Sequence, residues 1–214
     1  MDKIIVLIGA PGAGKGTQAR LLEERKSIPQ ISTGDMFREM KKLDSPLARE
    51  VQATMASGKL ISDELTFQIV KDRTSRDDCK GTYILDGFPR TAIQVEMLEE
   101  LAEEQGKKIS AILVDVPIEN LEKRMTGRRS CPVCGEIYNI YYKSPKADNV
   151  CDFHTEAQLN HRTDDTEEKV KVRLSTYEQQ TKPLLDYYEN SGRLQKVDGT
   201  GDLEAIYREL EKLI

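Results

Sequence analysis

Short apolar runs alternate with long charged stretches along most of the chain. The runs Ile4 to Ile8, Tyr83 to Leu85 and Ala111 to Val116 are brief and rich in β-branched residues, which is typical of buried parallel strands. A weaker run that contains Leu194 and Val197 predicts a final strand. The alternation predicts an α/β fold in which helices separate parallel strands.

Two stretches near the C-terminus have helical periodicity. Between 170 and 188, bulky residues recur every three or four positions, which predicts a long helix with one buried face. Pro183 should bend this helix. The stretch 203–210 repeats the pattern and predicts a closing helix, with Thr200 or Asp202 as its N-cap.

Two segments interrupt the strand and helix alternation. From about 128 to 162 the helical spacing disappears, and Cys, Pro, Gly, Tyr and Asn collect instead, which predicts an inserted small domain. The segment 32–61 is a second, helical insertion that Pro46 and Gly58 punctuate. The remaining segments, 1–31, 62–127 and 163–214, would form the core.

Composition excludes several classes of protein. The 214 residues are 32% charged and 38% hydrophobic, as in an ordinary globular protein. The formal net charge of -5 argues against a basic surface for nucleic acid or anionic membranes. The apolar run before Pro11 is too short to span a bilayer, and no export signal is expected. Four cysteines are too few for a disulfide scaffold, so a cytoplasmic location is expected.

A glycine-rich loop directly follows the first predicted strand. Gly9 to Thr17 reads GAPGAGKGT and opens a helix. Glycines allow the backbone to approach phosphates, and the helix N-terminus adds partial positive charge. Lys15 would reach the outer phosphates. Gly16 stands where a Mg²⁺-binding Ser or Thr is usual, so Mg²⁺ is expected to be held mainly by phosphates and water.

Three cysteines and a histidine have the spacing of metal ligands. Cys131 and Cys134 precede Cys151 and His154, and each pair is separated by two residues. Three thiolates and one imidazole suit a tetrahedral, structural Zn²⁺ that is closed to water. Fe or Co in the same site, and Asp152 or His161 as ligands, stay open.

Three motifs follow one another along the chain: GAPGAGKGTQ at 9–18, STGDMFR at 32–38 and DGFPRT at 86–91. Together they closely resemble the motifs of adenylate kinases. GRR at 127–129, the arginine of HRTDD and DGT at 198–200 extend the resemblance over essentially the whole chain.

The resemblance implies a P-loop, three-layer fold with a central five-stranded parallel sheet and two inserted small domains. The segment 32–61 would be the monophosphate-binding domain and 128–162 a zinc-binding lid. The implied reaction is MgATP plus AMP giving two ADP, catalysed by a monomer.

The resemblance also assigns individual residues to the two nucleotides. The residues that resemble AMP-site residues of the family are Thr33, Arg38, Lys59, Leu60, Ile61, Gly87, Arg90, Gln94, Arg162 and Arg173. Gln94 would bond the adenine. Those expected at ATP are Gly12, Ala13, Gly14, Lys15, Gly16, Thr17, Arg124, Arg128, Tyr138 and Gly201. Arg124 would lie over the adenine of ATP, whereas packing inside the lid is an alternative role for Tyr138.

The expected catalytic set has many cations and no general base. It comprises Lys15, Arg90, Arg128, Arg162, Arg173 and Asp86. ATP and AMP bring roughly six negative charges together, at about two per terminal phosphate. Arginine suits such charge because its planar fork pairs with phosphate oxygens. An AMP phosphate oxygen is already anionic and can attack in line, and Asp86 resembles the residue that orients hydrated Mg²⁺.

Two other functions are compatible with parts of this sequence pattern. A kinase for UMP or CMP, or one that uses GTP, would share much of this sequence pattern, although the long lid and Gln94 favour adenylate. The second rival is a nucleotide-gated module that binds nucleic acid through its zinc knuckle. The segment 128–162 holds five Lys or Arg against four Asp or Glu, which gives no basic patch for that role.

Overall fold

A five-stranded parallel sheet forms the centre of the protein. The computed structural model describes residues 2–214 apart from the side chain of Lys41. The strands stand in the order β2-β3-β1-β4-β7 and all pair in parallel. They are β1 (Lys3–Ile8), β2 (Gln30–Ser32), β3 (Tyr83–Asp86), β4 (Lys108–Asp115) and β7 (Leu194–Asp198). The predicted α/β class and five-stranded parallel sheet are confirmed.

Nine α-helices connect or flank these strands in the described part of the chain. They are α1 (Lys15–Lys26), α2 (Thr33–Glu39), α3 (Pro46–Ala56), α4 (Asp63–Thr74), α5 (Ala92–Glu104), α6 (Ile118–Thr126), α7 (Glu167–Thr176), α8 (Leu184–Asn190) and α9 (Leu203–Leu213). Asp202 caps α9, because its side chain accepts a hydrogen bond from Ala205 N at 2.8 Å. Thr200 instead donates to Asp198, so of the two expected caps only Asp202 serves.

Strand β1 is buried on both faces, which explains its unbroken apolar sequence. Ile4, Val6 and Ile8 belong to one hydrophobic cluster, and Ile5 and Leu7 belong to the other. Successive side chains of a strand point to opposite faces of the sheet. The first cluster includes residues of α4, α5 and α8, and the second includes residues of α1 and α9. Helices therefore cover both faces of the sheet in three layers.

The long helix predicted for 170–188 is interrupted earlier than expected. It consists of α7, a π-helical turn over Tyr177–Thr181, and α8. Lys182 N bonds to Tyr177 O at 2.8 Å, five residues back, in place of the usual four. Pro183 has no N–H to continue the ladder, so the irregular turn precedes it.

Two segments lie outside the central sheet, except that the first residue of one of them, Ser32, is the last residue of β2. We call residues 32–61 the arm and residues 128–162 the lid. The arm contains α2 and α3. The lid contains the antiparallel pair β5 (Arg128–Ser130) and β6 (Ile137–Asn139). Among the described residues, no helix is long and apolar enough to cross a membrane.

Candidate functional site

One cleft of about 780 Å³ opens at the carboxyl ends of the strands. Its walls come from the loop after β1, the arm, the loop after β3, the lid, and α7. Ligands of open parallel sheets bind at the carboxyl ends of the strands, at the point where the strand order reverses. In this sheet that point is next to β1. The volume lies within the usual range for ligand sites, roughly 300–1,000 Å³.

The glycine-rich loop after β1 surrounds the side chain of its own lysine, Lys15. Gly14 adopts φ +95°, and α1 begins at the next residue. A left-handed backbone is accessible to glycine at little cost. Lys15 Nζ donates to the carbonyls of Gly9 at 2.7 Å and Ala10 at 3.2 Å. The ammonium group thus lies inside the loop, beside the amide groups at the start of α1.

The environment of Lys15 has an excess of positive charge. Burial lowers the pKa of Lys15 to about 8, against the opposing effect of Asp86. The nearby charges of Arg90, Arg173 and Arg128 lower this pKa further. An anion placed among these groups would favour the charged ammonium, so the arrangement is suited to phosphate.

Asp86 stands at the end of β3 and faces the start of α1. A Cβ atom at Gly16 would lie 3.1 Å from Asp86 Oδ2. The glycine that replaces the usual Ser or Thr therefore leaves room for this carboxylate next to the phosphate loop. A carboxylate in this position can order the water shell of Mg²⁺.

Two adjacent aspartates just after the lid organise two of the arginines around the cleft. Asp165 is fully buried and accepts two bonds from Arg128, at 2.6 and 2.8 Å. Arg173 contacts Asp165 at 2.8 Å and Asp164 at 2.9 Å. Burial opposes the charged form of Arg128, but the paired bond to Asp165 raises its pKa. These carboxylates fix the guanidinium groups at the edge of the cleft.

Arg162 lies among like charges. Burial lowers its pKa, and the positive charges of Arg128 and Arg38 lower it further. Arg38 extends from α2 and is paired with Asp35 at 2.6 Å. Since arginine stays protonated in proteins, a half-buried guanidinium among like charges is suited to bind an anion.

The loop after β3 joins the arm to the core. Thr33 Oγ1 donates to Gly87 O at 2.9 Å, and Arg90 Nε donates to the same carbonyl at 2.8 Å. Gln94 is buried, and its Oε1 accepts from Arg90 N while its Nε2 donates to Asp63 Oδ1, both at 2.8 Å. Each polar atom of the amide retains capacity for one further hydrogen bond.

On the opposite side of the cleft, Arg124 spans from α6 to the loop after β7. Both of its terminal nitrogens donate to Gly199 O at 3.1 Å. Gly201 in the same loop lines the cleft. The flat face of a guanidinium held in this way offers a surface on which an aromatic base can stack.

The cleft brings together nearly all of the residues predicted at nucleotides. Ala13 and Tyr138 are the exceptions within the described residues. Ala13 is buried in a hydrophobic cluster below the loop, so only its backbone is available to a ligand. Tyr138 is 1% exposed, and its hydroxyl accepts from Asp152 N at 2.9 Å inside the lid. The ring of Tyr138 thus packs inside the lid, which is the alternative role considered for it, and its contact with ATP stays a prediction.

Several residues that organise the site were not predicted from sequence. Asp164 and Asp165 are the two aspartates of HRTDD, two and three residues after Arg162, and their place in that motif is the signal that could have identified them. Asp63, which holds Gln94, looks in the sequence like an ordinary residue in the first turn of a helix. Asn139 of the lid also lines the cleft.

The four predicted metal ligands converge in the lid. Their ligand atoms all lie within 4.8 Å of one another, and the four residues are Cys131, Cys134, Cys151 and His154. Cys151 Sγ lies 3.8 Å from both Cys134 Sγ and His154 Nδ1. Bonds of 2.3 Å to a tetrahedral Zn²⁺ place thiolates about 3.8 Å apart. The donors and their spacing fit such an ion.

Comparison with known proteins agrees with this geometry. Residues 7–193 match the family model described as adenylate kinase. The adenylate kinases of Clostridium perfringens strain SM101 and Archaeoglobus fulgidus are 47% and 46% identical over 211 residues, covering 98% of this chain and 97% of each relative. That of Thermodesulfovibrio yellowstonii is 45% identical over 207 residues, 96% of both chains. The chain belongs to the adenylate kinase family.

Proposed function

We propose that this nucleoside monophosphate kinase catalyses the reversible reaction of MgATP with AMP to give two ADP in the single cleft. The observation that carries the proposal is the convergence of five cationic side chains between the phosphate loop, the arm and the lid. They are Lys15, Arg90, Arg128, Arg162 and Arg173. This arrangement suits two phosphate chains that meet end to end.

The two walls of the cleft correspond to two nucleotide positions. The triphosphate of ATP would lie over the loop 12–17, with its base against Arg124 and Gly201. AMP would lie between the arm and the loop after β3, with its phosphate near Arg38 and Arg90. The remaining bonding capacity of Gln94, together with Lys59, Leu60 and Ile61 in the cleft wall, supports an adenine at this end.

The transfer step requires no proton to be removed. An oxygen of the AMP phosphate forms a bond to the γ-phosphorus while the bond from that phosphorus to the β-phosphate oxygen breaks, and ADP leaves. Lys15 and the arginines would balance charge on the transferring group. Mg²⁺ that accompanies ATP supplies further charge neutralisation when bound, and Asp86 would orient its water shell.

Closure of the lid and the arm would exclude water from the reacting phosphates. Water competes with AMP for the γ-phosphoryl group unless the site is closed, and lid closure in adenylate kinase is a standard example of this behaviour. The core would then comprise 1–31, 62–127 and 163–214, with the arm as the AMP-binding domain. Gly127 and the residues around His161 are the proposed hinges of the lid.

The lid metal is proposed to be structural Zn²⁺ held by Cys131, Cys134, Cys151 and His154. All four protein donors would occupy its coordination sphere, which leaves no position for substrate. Free thiols are consistent with a cytoplasmic location. A monomer that binds neither nucleic acid nor membranes completes the proposal, and light scattering would detect a dimer.

A coupled assay of ADP formation tests the activity directly. Turnover is measured with ATP and each of AMP, CMP, UMP and GMP, and then with GTP and AMP. We expect AMP and ATP to be the preferred pair. A preference for CMP or UMP, or for GTP as donor, would contradict the proposed specificity, and no phosphoryl transfer to any monophosphate would contradict the proposed reaction.

A further inference from the structure

One hydrogen bond joins the first helix of the core to the lid. Arg20 lies on α1, just after the phosphate loop, and its Nη1 donates to the carbonyl of Gly135 at 2.8 Å. The two residues are 115 positions apart in sequence. The bond therefore requires the lid to lie against the start of α1.

The carbonyl of Gly135 is held in place for this contact. Gly135 N donates to Cys131 O at 3.0 Å, and Cys131 N donates to Glu136 O at 2.9 Å. Gly135 adopts φ +71°, and a Cβ atom there would lie 3.3 Å from Arg20 Nη2. Glycine thus allows both the turn and the close approach of the guanidinium. The turn that carries the first two metal-ligand candidates also presents the acceptor.

Little else fastens the lid to α1. Within the described residues this is the only hydrogen bond or ion pair between α1 and the lid. A small cavity of about 70 Å³ separates the two surfaces beside it. By contrast, Asn139 Nδ2 bonds to Arg124 O at 3.0 Å, and Ile140 N bonds to Gly127 O at 2.9 Å, close to the hinge. Those bonds can persist while the far end of the lid moves.

We infer that Arg20 is a positioning residue that latches the lid over the phosphate loop. The inference rests on the proposed function, because a closed lid matters to a reaction that must exclude water. Arg20 acts through the lid and not on the reacting atoms. Because the bond requires the lid to lie against α1 as it does here, it favours this lid position over any in which the two are separated, and it should prolong the residence of bound nucleotides.

Removing the latch should weaken closure without removing a catalytic group. A hydrogen bond to a charged donor contributes enough to change an equilibrium by about tenfold. Arg20→Ala should raise the KM for ATP and speed the dissociation of ADP, each by about three- to tenfold, with kcat retained. Arg20→Lys keeps a cationic donor and should recover part of this loss.

Arg25 provides a matched control on the same helix. Its guanidinium pairs with Glu204 at 2.6 Å and lies 4.5 Å from the ring centroid of Tyr207, away from the lid. Arg25→Ala removes an equally large cation from α1. It should leave KM for ATP, nucleotide dissociation and lid position at the values of the parent.

Lid position is measured by energy transfer between fluorophores on non-natural residues at the exposed positions Asp148 in the lid and Glu103 on α5. Arg20→Ala should shift the distance distribution towards the open form, both without nucleotide and with a mimic that joins two adenosines through five phosphates. Distributions and mimic affinities equal to those of the parent would overturn the latch. A parent that forms no ADP would contradict the proposed function instead, and the nucleotide-free distributions would still decide the latch.

Discussion

The core and the lid both contribute cations to one cleft, but they hold their shapes by different means. The core rests on two large hydrophobic clusters on either side of the sheet. The lid buries only Cys131, Tyr138, Cys151 and Leu159 in its own cluster. So few apolar side chains cannot offset the chain entropy lost on ordering a segment of this length. The comparison teaches that packing fixes the phosphate loop, whereas the lid needs a cross-link.

The two regions also differ in how they support their charges. In the core, Lys15 is held by backbone carbonyls of a rigid loop. At the base of the lid, Arg128 is held by Asp165, a residue outside the lid. The position of Arg128 is therefore set by a contact with the core and does not depend on packing within the lid.

The largest effect should follow loss of the core cation. Lys15→Met removes the ammonium from the phosphate loop while keeping an unbranched side chain of similar length. Removal of one preorganised charge donor typically slows catalysis by about 10²–10³-fold or more, so we expect ADP formation to fall at least that far. The melting temperature should stay within a few degrees of the parent. A variant with more than a tenth of parental kcat would contradict the role of Lys15.

The lid should respond to loss of a metal ligand with a large change in stability and a smaller change in rate. Structural Zn²⁺ contributes roughly 10 kcal/mol or more to small domains. A decrease of even about 3 kcal/mol in the free energy of unfolding would lower the melting temperature by about 6–12 °C in a chain of this size. Cys131→Ser should show such a drop in calorimetry with metal analysis, and ADP formation at low temperature should change less.

Cys79 supplies the control for that measurement. It is also buried and free, but it lies outside the metal cluster. Cys79→Ser should keep the parental metal content. Equal melting temperatures for Cys131→Ser and the parent, with metal bound to the parent, would show that the lid does not depend on the cluster.

A substitution near the AMP position should change the KM for AMP and leave the KM for ATP nearly unchanged, which would distinguish the two nucleotide positions. Gly87 has φ +86°, and a Cβ atom there would lie 2.6 Å from Arg90 Nη2 and 2.7 Å from Thr33 Oγ1. Gly87→Ala should raise the KM for AMP by about ten- to a hundredfold, as expected for local strain of roughly 1–3 kcal/mol. The KM for ATP should change little, and an equal rise for both substrates in initial-rate assays would oppose separate sites.

The pH dependence of ATP binding should give a mild effect. Phosphate favours the ammonium form, so the pKa of Lys15 is higher in the complex than its value of about 8 in the free protein. The affinity for ATP is then at its full value below pH 8, and it falls by up to tenfold per pH unit as the pH rises above 8. Calorimetric titrations between pH 7 and pH 9.5 measure this slope. Lys15→Met should lack it, and an identical slope in that variant would assign the titration to another group.

Much of the core and most of the site could be predicted from sequence. The apolar strands are long enough to be recognised because parallel strands are buried on both faces. Strand β2 is not recognisable from the sequence, since it has three residues and only Ile31 is fully buried. The phosphate loop was recognisable because its chemistry depends on a local order of glycines and one lysine.

The remaining features depend on contacts between distant residues. Nothing local reveals that Asp63 holds Gln94, or that Asp165 lies fully buried between two arginines. An aromatic residue in a lid can face either the nucleotide or the lid interior, and the sequence around Tyr138 does not distinguish the two. The folded lid shows the ring buried and the hydroxyl bonded to Asp152 N.

Titration calorimetry with the five-phosphate mimic of two joined adenosines tests most directly whether both nucleotides share the cleft. We predict one mimic per chain, bound at least about a hundredfold more tightly than ATP alone, with ATP and AMP each competing for it. Undetectable binding to metal-replete protein, or two independent mimics per chain, would contradict the account.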